Sequence, residues 1–208
     1  MQSTDGAKPV AATHVLYLHG FRSSPASFKA RRMAALMASN YPDVHWWCPL
    51  LAPSPAKAMA DVVRGIQDWP MASTVVVGSS LGGFYATWLA ERLGCRAVLL
   101  NPAVGPARDL ARYVGTHAMW HDAESIFEFR AEYVQEMLDL IIGQITHPDR
   151  YYTLIAQGDE VLDWREMAAH FEGSQGLILE GGDHALSNFD ALLPGVLAFM
   201  GLPPPRGT

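Results

Sequence analysis

The segment Val75-Val76-Val77-Gly78-Ser79-Ser80-Leu81-Gly82-Gly83 decides the fold. An apolar run enters a turn of the form G-x-S-x-G, and the following residues, Phe84–Leu93, have the composition of a helix. A strand that passes through such a turn directly into a helix presents the central serine on a strained bend. The segment therefore predicts a nucleophile elbow, with Ser80 at its tip.

The flanking glycines favour Ser80 over Ser79 as the nucleophile. The residues two before and two after the serine of such a bend pass too close to tolerate side chains, and for Ser80 these are Gly78 and Gly82. For Ser79 the same places would hold bulky aliphatic residues. At the start of the helix, the backbone N–H of Leu81 is suited to stabilise a developing oxyanion.

The glycines do not fit the common nucleotide-binding motifs. A dinucleotide fingerprint needs glycine where Ser80 stands, and a P-loop needs lysine and a hydroxyl residue after its last glycine, where this chain has Gly83-Phe84. His117 and His121 have the spacing of metal ligands on a helix, but the glutamate of H-E-x-x-H is absent. We expect neither a cofactor nor a metal.

Outside the elbow, apolar runs without polar alternation predict strands that are buried on both faces. Helical segments separate these runs, so the chain predicts an α/β fold with a mostly parallel central sheet of about six strands and helices on both faces. The predicted strands are His14–Leu18, Val44–Cys48, Thr74–Val77, Ala97–Leu100, Tyr152–Ala156 and Leu177–Leu179. The predicted helices are Pro25–Ser39, Pro55–Trp69, Ser80–Leu93, part of Pro106–Gln144, Trp164–Phe171 and Ala185–Met200.

A long interval follows the Ala97–Leu100 strand. It predicts a helical insertion over about residues 103–150, placed above the carboxyl ends of the strands as a candidate lid. Its four arginines and eight carboxylates leave a net charge of −4, which predicts repulsion of a polyanionic leaving group if the insertion lines the entrance. We expect a single domain over residues 13–202, with an N-terminal extension over 1–12 and a flexible tail over 203–208.

A serine alcohol needs a base, and the base needs an acceptor. His184 follows the last predicted strand and is the expected base. Asp159, the first carboxylate after the Tyr152–Ala156 strand, is the expected acceptor. Asp163 is the alternative, although capping-box spacing with Glu166 predicts that it caps the next helix. The chain order of serine, aspartate and histidine is that of α/β-hydrolases.

The loop after the first strand predicts the second oxyanion donor. Gly20 lets the backbone turn, so the N–H of Phe21 can point to the same place as that of Leu81. His19 is expected to support this loop through backbone hydrogen bonds rather than to act in acid–base chemistry. Ser24 followed by Pro25 predicts the start of the first helix.

Composition limits the classes of partner. The 208 residues are 50% hydrophobic and carry a formal charge of −6, which argues against a nucleic-acid partner. Cys48 and Cys95 cannot form a disulfide framework, and residues 1–9 do not form a secretory signal, so a cytoplasmic location is predicted. The uncharged stretch over residues 69–90 contains Pro70 and glycines, and is predicted to be a strand, turn and helix rather than a membrane span.

With these motifs in place, the chain resembles the small YqiA/YcfP-type α/β-hydrolases over nearly its full length. The resemblance rests on His19-Gly20-Phe21, Ser23-Ser24-Pro25, Gly78–Ala86, Asn101-Pro102-Ala103, Gly158–Asp163 and Gly182-Asp183-His184. It implies a compact α/β-hydrolase without a cofactor, active as an esterase on short acyl esters or acyl thioesters. It also implies a triad of Ser80, Asp159 and His184, with Phe21 and Leu81 as oxyanion donors. Asp183 stands where the family has asparagine, and a carboxylate there predicts a raised pKa of the base.

We expect a serine carboxylic-ester hydrolase that forms an acyl-enzyme with a small-molecule substrate. An acyl-CoA thioesterase is the alternative, because a basic cluster formed by Arg22, Lys29, Arg31 and Arg32 could meet a nucleotide phosphate. A third hypothesis is a binding protein that keeps the hydrolase fold without turnover.

Overall fold

Six parallel strands form the central sheet of the computed structural model, which describes residues 9–119 and 122–205. Their order is β2-β1-β3-β4-β7-β8, and β5 and β6 form a separate antiparallel pair. The strands are β1 His14–Leu18, β2 His45–Trp47, β3 Thr74–Ser79, β4 Arg96–Leu100, β5 Gly115–Met119, β6 Asp122–Phe129, β7 Tyr151–Ala156 and β8 Gln175–Leu179. The predicted six-stranded α/β fold is confirmed.

Helices cover both faces of the sheet. They are α1 Phe28–Asn40, α2 Pro55–Gly65, α3 Leu81–Leu93, α4 Pro106–Leu110, α5 Glu132–Leu138, α6 Trp164–His170 and α7 Phe189–Phe199. One apolar core lies between the sheet and α1 and α7, and a second lies between the opposite face and α2 and α3. The strands are apolar throughout because side chains on both of their faces enter these cores.

Parallel pairing brings the functional loops to one edge of the sheet. Leu18 at the end of β1 pairs with Gly78 near the end of β3, so the two loops leave the sheet side by side. The loops after β7 and β8 leave the same edge, because Ala156 pairs with Leu179. In open parallel sheets this carboxyl edge is where ligands bind.

The insertion after β4 is not entirely helical, and the expectation of a helical insertion is wrong for residues 115–119 and 122–129. The antiparallel pair β5–β6 lies between α4 and α5. Along β6 the exposed Ile126 and Glu128 alternate with the more buried Phe127 and Phe129. This period of two is the pattern of a strand with one face packed on the protein.

Two local predictions at helix starts are also wrong. Helix α1 begins at Phe28, and Ser24 instead forms a turn in which its side chain accepts a hydrogen bond from the N–H of Ala26 at 3.1 Å. The last helix begins at Phe189, so a turn separates it from His184. Both turns lie beside the carboxyl edge, where the chain must reverse direction.

No helix within residues 9–119 and 122–205 is long and apolar enough to cross a membrane.

Candidate active site

Ser80 lies on a strained bend between β3 and α3. Its backbone has φ 54° and ψ −119°, in a region that residues with a side chain rarely adopt. A Cβ on Gly78 would collide with the carbonyl oxygen of Gly82, and one on Gly82 would collide with the carbonyl oxygen of Leu18. Both elbow glycines are therefore required by close backbone approach. The bend points the Ser80 hydroxyl into a cavity.

His184 lies between Ser80 and Asp159. Its Nε2 is 3.0 Å from the Ser80 Oγ, and its Nδ1 is 2.7 Å from the Asp159 Oδ2. The Asp159 side chain is fully buried, whereas that of His184 is 22% exposed. A buried carboxylate at Nδ1 keeps the proton on that nitrogen, so Nε2 is free to accept the serine proton.

Backbone amides hold Asp159 in place. Its Oδ1 accepts hydrogen bonds from the N–H groups of Val161 and Leu162, both at 2.8 Å. The other carboxylate oxygen of Asp159, Oδ2, therefore remains available to the Nδ1–H of His184. The alternative carboxylate, Asp163, caps α6 by accepting from the N–H of Arg165 at 2.9 Å.

The predicted capping box of α6 forms only in part. The Glu166 carboxylate does not turn back to the cap. It accepts two hydrogen bonds from the Arg108 guanidinium, at 2.9 and 2.7 Å. A bidentate arginine is a stronger partner for a carboxylate than a single backbone N–H. This pair ties α6 to the start of the insertion.

Asn101, at the end of β4, holds the histidine loop and was not assigned a role from the sequence. Its Oδ1 accepts from the N–H of Ala156 at 2.8 Å, and its Nδ2 donates to the carbonyls of Asp183 at 3.0 Å and His184 at 3.2 Å. The residue is fully buried and has φ 42°, a conformation that asparagine tolerates better than most residues. A polar residue that ends an apolar strand was the available signal.

A second carboxylate fixes the backbone of the histidine. The Glu160 Oε2 accepts from the His184 N–H at 3.0 Å. The carboxylate of the neighbouring Asp183 accepts from the Ser187 N–H at 2.9 Å and the Ser187 hydroxyl at 2.6 Å. These hydrogen bonds lower the pKa of the Asp183 carboxyl. The carboxylate beside the base therefore has its own partner.

The amides of Phe21 and Leu81 are the expected oxyanion donors. No backbone carbonyl within residues 9–119 and 122–205 accepts a hydrogen bond from either amide. The β1 loop passes close to the serine, since a Cβ on Gly20 would lie 3.3 Å from the Ser80 Cβ. His19 supports this loop as expected: its Nε2 accepts from the Leu51 N–H at 3.0 Å, so its Nδ1 donates to the Gly20 carbonyl, also at 3.0 Å.

The ring of Phe21 is enclosed by the insertion. Its centroid lies 5.3 Å from that of Phe127 and 5.4 Å from that of Phe129, and both contacts are edge-to-face. Tyr113 adds a third ring at 5.8 Å. The next residue, Arg22, donates from Nε to the carbonyl of Ala118 in β5 at 2.7 Å. The insertion thus holds the loop that carries one of the expected oxyanion donors.

A cavity of about 690 Å³ opens at Ser80 and His184. Its other charged lining residues are Arg22, Lys29, Arg112 and Asp109, and Asp109 is paired with Arg108 at 2.8 Å. The insertion lines part of this cavity, but its excess of negative charge does not: of its carboxylates with described side chains, Asp109 is the one in the lining, beside Arg112. Three others have partners elsewhere: Glu128 and Glu132 pair with Arg130, and Glu136 accepts hydrogen bonds from the Ser54 hydroxyl and the Ala56 N–H at the start of α2.

Within the described part of the chain, no group of three or more histidine, cysteine or acidic side chains could hold a metal ion. His117 donates from Nε2 to the Tyr113 carbonyl at 2.6 Å, and its suggested partner His121 lies outside the described residues. Cys48 and Cys95 are free thiols, and burial raises the pKa of each to about 12. Neither is therefore a ready thiolate ligand.

A parallel sheet with a strained serine after a central strand, and a histidine between that serine and an aspartate, is the architecture of the α/β-hydrolases. A family model described as UPF0227, an uncharacterised protein family, matches residues 14–201. The chain belongs to this family, and its resemblance to YqiA/YcfP-type proteins is confirmed.

Solved structures share the fold at low sequence identity. A putative hydrolase from Agrobacterium vitis S4 has a TM-score of 0.68 and 18% identity, covering 92% of this chain and 91% of its own. A structure from work on the metagenome-derived lipolytic enzymes LipS and LipT has a TM-score of 0.64 and 18% identity, covering 96% and 99%. Est1E from Butyrivibrio proteoclasticus with ferulic acid bound has a TM-score of 0.62 and 11% identity, covering 94% and 89%.

Proposed function

We propose that this protein is a serine carboxylic-ester hydrolase that cleaves short acyl esters through an acyl-enzyme. The observation that carries the proposal is the position of His184, 3.0 Å from the Ser80 Oγ and 2.7 Å from a buried carboxylate of Asp159. A base in this position activates an alcohol that is otherwise a poor nucleophile. The strained bend serves this chemistry by presenting Ser80 to the cavity.

In the first half of the reaction, the Ser80 Oγ attacks the ester carbon as its proton passes to Nε2 of His184. The carbonyl oxygen becomes an oxyanion that the amides of Phe21 and Leu81 stabilise. Asp159 remains ionised and stabilises the imidazolium. The tetrahedral intermediate then collapses: the bond to the alcohol oxygen breaks, and that oxygen takes the proton from Nε2.

In the second half, water attacks the acyl-enzyme and gives a proton to Nε2. The second tetrahedral intermediate expels the Ser80 oxygen, which recovers the proton from the imidazolium. The products are a carboxylic acid and the free enzyme, and the cycle needs no cofactor. Because Nε2 must be unprotonated at the start, the rate is expected to rise as the imidazole loses its proton.

The cavity supports a small-molecule substrate. Its volume of about 690 Å³ is in the range of pockets for small ligands, and Leu81, Leu110, Tyr113 and Leu162 give it an apolar wall. Two fold neighbours are described as a lipolytic enzyme and as the esterase domain of a Rhodothermus marinus protein, which agrees with ester chemistry on this scaffold.

Hydrolysis of 4-nitrophenyl esters of increasing acyl length tests the proposal. Wild-type protein is expected to cleave the short esters, whereas Ser80→Ala is expected to lose turnover and remain folded. The matched control is Ser79→Ala, which removes a neighbouring hydroxyl and should keep measurable activity. Loss of activity in Ser79→Ala but not in Ser80→Ala would contradict the proposed register of the bend.

An acyl-CoA thioesterase is a second candidate, because Arg22, Lys29 and Arg112 line the cavity and could meet phosphate groups. The test is kcat/KM for acyl-CoAs against 4-nitrophenyl esters of the same acyl group. A preference for acyl-CoA that weakens with added salt would favour the thioesterase. Absence of both turnover and covalent labelling by a fluorophosphonate would favour a binding protein with the hydrolase fold.

A further inference from the structure

The cavity beside Ser80 has two walls that belong to opposite faces of the sheet. Leu81 is part of the core on the α3 face, and Leu110 and Leu162 pack against it. Tyr17 is part of the core on the α1 face, and Lys29 is a residue of α1 itself. The α3-side wall carries these aliphatic side chains next to Asp109 and Arg112, whereas the α1-side wall carries the Tyr17 hydroxyl and the Lys29 ammonium.

Tyr17 supplies an unpaired hydroxyl to the α1-side wall. The residue is fully buried and lines the cavity, and its Oη has no hydrogen-bond partner among the residues that the structure describes. Burial raises the pKa of the phenol, and a side-chain interaction with Ser79 that falls short of a well-formed hydrogen bond opposes this with a smaller effect. The hydroxyl is therefore protonated and able to donate. Buried polar groups in native proteins are rarely left unpaired, so this one indicates a ligand atom.

Lys29 brings a cation to the same wall. Its Nζ donates to the carbonyl of Ala185 at 2.5 Å, which uses one of the three donors of an ammonium. Within residues 9–119 and 122–205, no carboxylate lies within 4.0 Å of it. Burial lowers the pKa of Lys29 to about 8, against the opposing effect of Asp183 and Asp159. The group is still mainly charged at neutral pH.

The histidine loop indicates which part of the substrate meets this wall. Under the proposed function, Nε2 of His184 must protonate the oxygen of the departing alcohol. The Lys29 ammonium donates a hydrogen bond to the carbonyl of Ala185, the residue that follows His184 in the loop. Ser187 of the same loop also lines the cavity. The alcohol part is therefore expected to lie on the α1 side, and the acyl group against the aliphatic side chains of the α3-side wall.

We propose that the α1-side wall binds a carboxylate carried by the alcohol part of the substrate, with Lys29 as its ion-pair partner and the Tyr17 hydroxyl as a hydrogen-bond donor. The proposal rests on the proposed function and adds a substrate class to it: esters of hydroxy acids with short apolar acyl groups. A charge-assisted contact in a partly buried site is strong enough to determine substrate preference.

The test compares two butyrate esters that differ in one group. The esters of 4-hydroxybenzoate and 4-hydroxybenzamide have the same shape, but only the first carries a charge; the 3-substituted pair covers the second geometry. Wild-type protein is expected to favour the carboxylate in one of the two pairs by about tenfold in kcat/KM, the size of a charge-assisted hydrogen bond. Equal rates in both pairs, or a preference for the amide, would overturn the proposal.

Variants assign the preference to this wall. Lys29→Met should abolish it, and Lys29→Arg should retain part of it. Arg31→Met is the matched control, because Arg31 is exposed on the same helix and its replacement by methionine removes the same charge. The ratio of the two esters is measured within one protein sample, so an unfolded fraction cancels. An equal loss of preference in Lys29→Met and Arg31→Met would mean that the preference comes from long-range electrostatics rather than from contact with Lys29. That result would overturn the proposal.

Tyr17→Phe provides an independent measurement. Removing an unpaired buried hydroxyl should leave the melting temperature unchanged or raise it, while the preference for the carboxylate falls about threefold. A lower melting temperature with an unchanged preference would mean that the hydroxyl is structural, against the proposal. Turnover of both esters without preference would overturn only the proposed carboxylate site. Absence of both turnover and fluorophosphonate labelling would overturn the proposed function itself.

Discussion

The bend at Ser80 and the hairpin β5–β6 both lie against the loop that follows β1 but are held by different forces. At the bend, backbone meets backbone: Gly78 and Gly82 have no space for a Cβ. At the hairpin, side chains pack, with Phe127 and Phe129 placed edge-to-face against Phe21. A close backbone contact leaves no space for any added side chain, whereas truncation of a packed ring lowers stability in proportion to the buried surface that is removed. Substitutions should therefore act abruptly near the bend and gradually in the insertion.

The largest expected effect is at the buried carboxylate beside the bend. Asp159→Asn should lower kcat about 10³- to 10⁴-fold, because an amide at Nδ1 no longer holds the imidazole in the productive tautomer. The melting temperature should change little. Steady-state kinetics and a thermal melt of the same preparation measure both quantities.

Asp163→Ala is the matched control for that variant. It removes the cap of α6 and should cost about 1 kcal/mol of unfolding free energy while most of the activity remains. The reverse pattern, with activity lost at Asp163 and kept at Asp159, would move the acid of the site to Asp163.

Phe129→Ala tests the hairpin. The residue is 1% exposed and contacts the rings of Phe21 and Tyr133, so its truncation should cost about 3–5 kcal/mol of unfolding free energy. It should also lower kcat, since the ring of Phe21 loses a support. Denaturant unfolding and kcat are the measurements, with Ile126→Ala, which is 76% exposed in the same strand, as the control. Equal losses of stability in both variants would mean that the hairpin does not pack as described.

A smaller effect is expected at Asn101. Asn101→Ala leaves the N–H of Ala156 and two carbonyls of the histidine loop without their partner, which should cost about 1–3 kcal/mol. The proposed mechanism predicts a fall in kcat with little change in KM, because the loop positions His184 rather than the substrate. A change confined to KM would argue against this positioning role.

Local constraint explains what could be predicted from the sequence. The elbow could be recognised because close backbone approach requires glycine at fixed distances from Ser80. His184 and Asp159 could be chosen because each follows a predicted strand at the same sheet edge. Their catalytic roles remain proposals, although the distances bring the three side chains together.

Long-range contacts explain what was missed. Asn101 holds a loop more than eighty residues away, and Glu166 leaves its expected capping role for Arg108, 58 residues earlier. The period of two in β6 was present in the sequence but was overlooked within a segment expected to be helical. The contacts of Asn101 and Glu166 do not follow from spacing along the chain, because each depends on the tertiary arrangement of the histidine loop or the insertion.

Site-resolved labelling with a fluorophosphonate shows directly whether Ser80 is the nucleophile. The protein is treated with the reagent, digested, and the modified residue is located by tandem mass spectrometry. A single adduct on Ser80 is expected, still formed in Ser79→Ala and absent in Ser80→Ala. An adduct on Ser79, or no adduct on folded wild-type protein, would contradict this expectation.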